Sequence, residues 1–247
     1  MFKDHFSGHS REYARYRPNY PKDLFEYLAR QAPAKELAWD AATGSGQAAL
    51  GLAQHFEKVF ASDASAKQIE NAERHARIAY RVEPAEATSL KDKSVDLITV
   101  AQALHWFDLE RFYREARRVL RKRGVIAAWT YGTCAIGEDI DRIVAWFYHE
   151  VVGPYWPEER QWVEQEYRTL AFPFEPIAHP SFHLHAEWSL DEFVGYLGTW
   201  SATQRYGDAE KRDYRPLVTP KLECNWGDGT RKIRWPLHML AGRCSAE

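Results

Sequence analysis

The sequence predicts a doubly wound α/β fold, mostly parallel, with an antiparallel edge pair near the carboxyl end and helical inserts over the crevice. Three observations predict it. Short apolar runs alternate with helical patterns over the first 130 residues. The run 95–101 is almost continuously apolar, as a central parallel strand buried on both faces should be. Two late segments then alternate in polarity after a helix-rich stretch.

Taken in order, Pro21 suits the first turn of a helix reaching Gln31. Residues 36–40 read as a short strand, and the turn 41–46 leads into a helix opening at Gln47, with Ala49, Leu50, Leu52, Ala53 and Phe56 as its apolar positions. Residues 59–63 form the second strand, and Ser65 is placed to cap the helix that follows. Strands three and four are expected over 77–82 and 95–101. A helix over 109–120 turns Phe112, Ala116, Val119 and Leu120 inward, Gly124 breaks it, and 125–129 is the fifth strand. Beyond it, helices are expected over 139–151 and 158–170, interrupted by Gly153-Pro154 and Trp156-Pro157. A strand over 182–188, a helix over 190–197 and a last strand over 231–240 complete the reading. The chain thus divides into a ligand-binding core with an amino-terminal arm, 1–131, and a remainder, 132–247, whose inserts and final strands complete the same sheet. The site belongs in the crevice at the carboxyl ends of the strands.

Composition narrows the function. A formal charge of −2 offers no net basic field for a nucleic-acid backbone. The local basic run Arg117, Arg118, Arg121, Lys122, Arg123 falls at the end of a helix, where cations suit the dipole. Three scattered cysteines argue against a disulfide framework and a zinc site and fit a reducing cytoplasm. No run approaches a membrane span. His183 and His185 share a strand face without a third ligand nearby in sequence, so no metal site is expected.

The strongest chemical signal is Asp40-Ala-Ala-Thr-Gly44-Ser-Gly46-Gln47 between a strand and a helix, with Asp63 ending the next strand. Glycines let backbone approach a ligand, the helix start offers free N–H groups, and Asp63 suits the two hydroxyls of a ribose. The same turn satisfies the dinucleotide pattern GxGxxA, so an NAD(P)-dependent oxidoreductase is the competing reading. Charge separates them. A pyrophosphate would face Asp40, whereas S-adenosylmethionine brings an ammonium and a sulfonium that favour a carboxylate there.

These motifs resemble the class I S-adenosylmethionine-dependent methyltransferases of Rossmann-like fold, in particular the group similar to trans-aconitate methyltransferase. The second motif is Ala61-Ser62-Asp63-Ala64-Ser65, the third Ala85-Glu86, and the strand-four exit Ala101-Gln102-Ala103-Leu104-His105-Trp106-Phe107. The resemblance implies that Asp40, Gly44 and Gly46 surround the methionine part of the donor, with Ala41, Gln47 and Ala64 also against it. It implies Asp63 on the ribose, Ala85 and Glu86 near adenine, Gln102 and Ala103 beside the sulfonium, and Tyr13 on an arm folding over the donor. Ala42 stands where many members have glycine, which a methyl group tolerates if φ is negative.

Methyl transfer from a sulfonium needs alignment and dryness more than a dedicated base. His105, Trp106 and Tyr131 are the candidate catalytic groups. Trp106, Tyr131, Tyr148, Trp200, Arg205 and Arg234 are the candidate acceptor pocket, with Trp129, Tyr155, Trp156 and Trp235 also considered. Either Arg205 or Arg234 would clamp a carboxylate, so a small acid is the favoured acceptor. DNA methylation lacks its Asn/Asp-Pro-Pro-Tyr signature at the strand-four exit. A protein that holds the donor without chemistry is the third class.

Overall fold

The computed structural model describes residues 16–244, so Tyr13 lies outside the described residues. In chain order the elements are α1 (Lys22–Gln31), β1 (Leu37–Ala41), α2 (Gln47–Leu52), β2 (Lys58–Asp63), α3 (Ala66–Asn71), β3 (Ile78–Val82), β4 (Val95–Ala101), α4 (Leu109–Val119) and β5 (Leu120–Thr130). Then follow α5 (Glu138–Trp146), α6 (Arg160–Glu164), β6 (Glu175–Pro176), β7 (Phe182–Trp188), α7 (Leu190–Gly198), α8 (Ser201–Glu210), α9 (Arg215–Trp226) and β8 (Arg231–Arg243).

One sheet runs β3-β2-β1-β4-β5-β8-β6, with β7 also paired to β8. Strands β1 to β5 are parallel, and β8 lies antiparallel to both β5 and β7. The order reverses between β1 and β4, which opens the crevice at their carboxyl ends. β4 is buried along almost its whole length, as its apolar run requires. Its one charged residue, Asp96, is buried but accepts from the backbone N–H groups of Glu36 (2.9 Å) and Leu37 (3.0 Å) and from Arg121 (3.2 Å). That carboxylate pins the entry of β1 beside β4.

β8 is long because it serves two partners. His238 to Arg243 pair with β5, while Arg231 to Leu237 run past the end of β5 and pair with β7. β7 packs against α7 beside this overhang. Trp235 on it is fully buried and donates to the Tyr196 hydroxyl of α7 at 2.9 Å.

Four expectations are corrected. The helix before β5 ends at Val119, and Gly124 lies inside the strand, which starts at Leu120 opposite Val95. A bulge at 121–124, with Arg123 at φ 61°, absorbs the basic run without breaking the pairing. Within the basic run Arg118 binds Glu115 and Asp92, and Arg121 binds Glu36 and Asp96, so these two cations form ion pairs as well as suiting the helix end. The helix expected over 158–170 is only Arg160–Glu164, because Glu166 and Tyr167 take φ of 56° and 60°, which no α-helix accommodates. Two helices, α8 and α9, occupy a stretch for which no element was expected. Leu50 on α2 is only half-buried, while Ala48 is buried in its place.

Candidate functional site

The glycine turn follows β1 directly. Gly44 and Gly46 have φ of 56° and 87°, conformations that glycine adopts without steric penalty, and Gly46 stands at the start of α2. A side chain on Gly46 would also collide with the Tyr80 hydroxyl, so this glycine is required for packing against β3 as well as for backbone approach. Ala42 has φ 53°, so the condition for an unstrained methyl there is not met. An alanine methyl in the left-handed region costs about 1 kcal/mol, which the fold carries in the turn itself.

Behind the turn, Asp40 is 1% exposed. The Thr99 hydroxyl donates to its Oδ1 at 2.8 Å and the Thr43 hydroxyl to its Oδ2. Burial pushes its carboxyl up to about 6, and those hydrogen bonds only partly oppose the effect. Asp63, at the end of β2, accepts from the backbone N–H of Gly44 (2.9 Å) and of Ser65 (2.8 Å). It therefore shapes the turn from the side.

Around the turn, Gln47 donates to the carbonyl of Pro18 (2.9 Å) and to Asn19 Oδ1 (3.0 Å), which draws the incoming chain across α2. Ala41 and Ala85 are buried, and Ala64 is half-buried. Glu86 Oε1 accepts from the backbone N–H of Asp108 at 3.1 Å, so it braces the loop before α4. Gln102, at φ 57°, leaves β4 with its side chain fixed: Oε1 accepts from Thr130 (2.6 Å) and Nε2 donates to the Tyr131 carbonyl (3.1 Å). Ala103 is buried next to it.

Gln102 also borders a cleft that is partly open to solvent. Of the candidate residues, the structure brings His105, Trp106, Tyr131 and Trp200 into its wall, together with Trp156. Tyr148 lies one layer behind, its ring against Trp156 and Trp200. Arg205 and Arg234 are not in the wall. The Arg205 guanidinium contacts the Tyr155 carbonyl at 3.5 Å, and Arg234 is exposed on β8 opposite His185. Trp129 is fully buried against Tyr20 and Phe25, and Trp235 is likewise interior. The arginines that do line the cleft are Arg17 and Arg160, which sequence reasoning did not select. A signal for the second was present: Trp156 and Arg160 stand four apart, and the guanidinium lies 4.5 Å from that indole ring.

His105 Nδ1 lies 2.7 Å from the Tyr167 hydroxyl. Burial first, then the nearby Arg160 charge, lowers the imidazole to about 3, so the ring is neutral at physiological pH. It can exchange hydrogen bonds with a ligand but carries no charge. Among the described residues no group of three or more His, Cys, Asp or Glu is arranged to hold a metal, and no helix is long and apolar enough to cross a membrane.

Comparison with known proteins bears on the family and the fold. A family model described as a methyltransferase domain matches residues 39–128, which span β1 to β5 and the glycine turn. A methyltransferase-family protein of Dictyostelium discoideum is 35% identical over 98% of this chain and 95% of its own length. A Saccharomyces cerevisiae protein named as an S-adenosylmethionine-dependent methyltransferase is 30% identical over 49% of this chain and 45% of its own. The solved structure of a type II methyltransferase-family protein from Anaeromyxobacter dehalogenans superposes with a TM-score of 0.87 at 44% identity, covering 94% of this chain and 99% of that one.

Proposed function

Because the chain belongs to the class I S-adenosylmethionine-dependent methyltransferases, we propose that it methylates a small molecule, a carboxylic acid being the favoured acceptor, by in-line displacement. The donor is S-adenosylmethionine, which supplies an activated methyl group on a sulfur that leaves readily. The observation that carries the reading is Asp40. A carboxylate this deeply buried, raised to about 6, is costly when ionised, and a cationic ligand at the glycine turn would relieve that cost. The methionine ammonium is such a cation, whereas a dinucleotide pyrophosphate would add a second negative charge.

The residues present fit the donor. Asp40, Ala41, Gly44, Gly46 and Gln47 would hold its methionine part, and Asp63 and Ala64, at the carboxyl end of β2 beside the turn, its ribose. Ala85 and Glu86 would border adenine. Gln102 and Ala103 would separate donor from acceptor, because Gln102 touches both the strand-four exit and the cleft. The aromatic wall excludes water and aligns the acceptor, and His105, Trp106 and Tyr131 are the groups that would touch it. A carboxylate acceptor is already ionised and needs no base.

Isothermal titration of the full chain with S-adenosylhomocysteine, with NAD as control, tests the donor site. Binding of the first alone is expected, and binding of NAD alone would reverse the reading. Asp63→Ala is expected to weaken binding by about 1–3 kcal/mol, and an unchanged affinity in the folded variant would remove Asp63 from the site. Transfer of a labelled methyl group to an acceptor then separates an enzyme from a protein that only holds the donor.

A further inference from the structure

We infer that Arg160 and Arg17 form an anion seat in the acceptor cleft, in which Arg160 determines specificity and Tyr148 is the positioning residue that orients it. The inference rests on the methyl-transfer reading and assigns the recognition of the acceptor's charge to named residues.

Charge comes first. The described residues lining the cleft include two guanidinium groups and no carboxylate. His105 is neutral there, so recognition of charge falls to the arginines alone. A partly enclosed wall of one sign concentrates ligands of the other.

Orientation comes second. Arg160 Nε donates to the Tyr148 hydroxyl at 2.7 Å, and that hydroxyl donates to Glu164 Oε1 at 2.7 Å. Arg160 and Glu164 are four apart on α6, yet the Tyr148 oxygen stands between them and no direct ion pair forms. The guanidinium plane is further held by the rings of Trp156 (4.5 Å) and Tyr148 (5.3 Å). These contacts engage Nε and the faces of the group. Its two terminal nitrogens have no hydrogen bond or ion pair among the described residues, and together they present the fork that meets a carboxylate with two parallel bonds.

Arg17 is fixed separately. Its Nη1 donates to the Tyr131 hydroxyl and its Nη2 to the Thr199 carbonyl, each at 3.2 Å, and it lies 5.6 Å from the Tyr196 ring. These contacts hold Arg17 at the same cleft. The same wall includes Trp106, Trp156 and Trp200, which suits a flat apolar body. The ligand class is therefore a planar organic acid with its carboxylate on the arginines.

The test is isothermal titration of the full chain saturated with S-adenosylhomocysteine, using benzoate, cinnamate and indole-3-acetate, each against its amide. At least one acid is expected to bind about tenfold or more tightly than its amide. Arg160→Gln should bring that pair within about threefold while the affinity for S-adenosylhomocysteine and the melting temperature stay as in the parent. Tyr148→Phe keeps the ring and loses only the hydroxyl, so it should lose part of the acid preference without changing amide binding, and it serves if the arginine variant does not fold. Arg160→Lys should restore part of the preference lost in Arg160→Gln. The inference is overturned if no acid outbinds its amide, or if the preference survives Arg160→Gln. Failure to bind S-adenosylhomocysteine would remove the methyl-transfer reading and this inference together, whereas donor-product binding without acid preference removes this inference alone.

Discussion

The glycine turn and the acceptor cleft lie side by side yet are built in opposite ways. The turn comes from one strand–turn–helix, and its essential contacts run to the next strand: Asp63 to Gly44 spans 19 residues. The cleft gathers side chains from across the chain, and the contact between Arg17 and Tyr131 spans 114 residues. Backbone geometry and one buried carboxylate dominate the first. Side-chain packing and two guanidinium groups dominate the second. Local construction resists change because few elements must cooperate, whereas a cleft assembled from inserts can be rebuilt without disturbing the turn.

The largest expected effect would separate the two regions outright. Asp40→Asn removes the buried carboxylate behind the turn while keeping its shape, and should weaken S-adenosylhomocysteine binding by about 3 kcal/mol or more in titration calorimetry. The ligand-free variant should nevertheless melt no lower than the parent at pH 8, since an ionised buried carboxylate has been removed. A large drop in its melting point would mean that Asp40 is structural.

Next in size is a change confined to the cleft. Trp156→Ala removes the ring that holds the Arg160 guanidinium, so kcat/KM for the acceptor should fall at least about tenfold while S-adenosylhomocysteine affinity is unchanged. Equal losses in both would show that the regions are not separable.

The pH dependence sharpens the contrast, because binding and stability should move in opposite directions. Asp40 titrates near 6 when folded and at its ordinary, lower value when unfolded, with Asp63 and the Tyr80 phenol as its titratable neighbours. Its protonation on acidification removes the partner of the ammonium, so donor-product affinity should fall as pH drops below about 6. The ligand-free fold, by contrast, binds the extra proton more readily than the unfolded chain, so this group's contribution to stability rises as pH falls through that window. Calorimetry between pH 5 and 8 and denaturant melts over the same range measure the two slopes, and both should flatten in Asp40→Asn. The neutral His105 should leave recognition in the cleft unaffected over that range, since it titrates near 3.

The smallest expected effect is at Ala42. Replacing it with glycine relieves the left-handed methyl and should stabilise the fold by about 0.5–1 kcal/mol, raising the melting point by roughly 1–4 °C. Cleft chemistry should not change. A destabilised Ala42→Gly variant would show that unfolded-state entropy outweighs the strain.

The same contrast explains what could be read from the residues. The turn was legible because strand, glycines, helix and Asp63 are close in sequence and each has its own physical signature. The parallel strands were legible from apolar runs, and the final pair from alternation. The helix before β5 was overextended because Leu120 continues its apolar face, and only the pairing of Leu120 with Val95 shows that the strand has begun. Helices α8 and α9 gave little pattern, since Gly207 and Pro220 interrupt them and their inward faces are narrow. The acceptor residues were half legible. Aromatic content pointed to Trp106, Tyr131 and Trp200, and the spacing of Trp156 and Arg160 is a local signal for that arginine. Nothing local distinguishes Arg17 from Arg205 and Arg234, and only long-range packing assigns it to the cleft.

The chain between Arg17 and Asn19 has a last consequence. Arg17 is bonded to Thr199 and Tyr131 on the cleft side, while Pro18 and Asn19 are bonded to Gln47 beside the glycine turn. Three consecutive residues thus reach both compartments, and the proline among them limits how the segment can bend. Covalent geometry makes this segment a ruler. One residue more or less would shift it by about 3.5 Å, roughly the separation between reacting atoms that a transfer must hold, so the spacing of the two compartments is written into the length of a tripeptide.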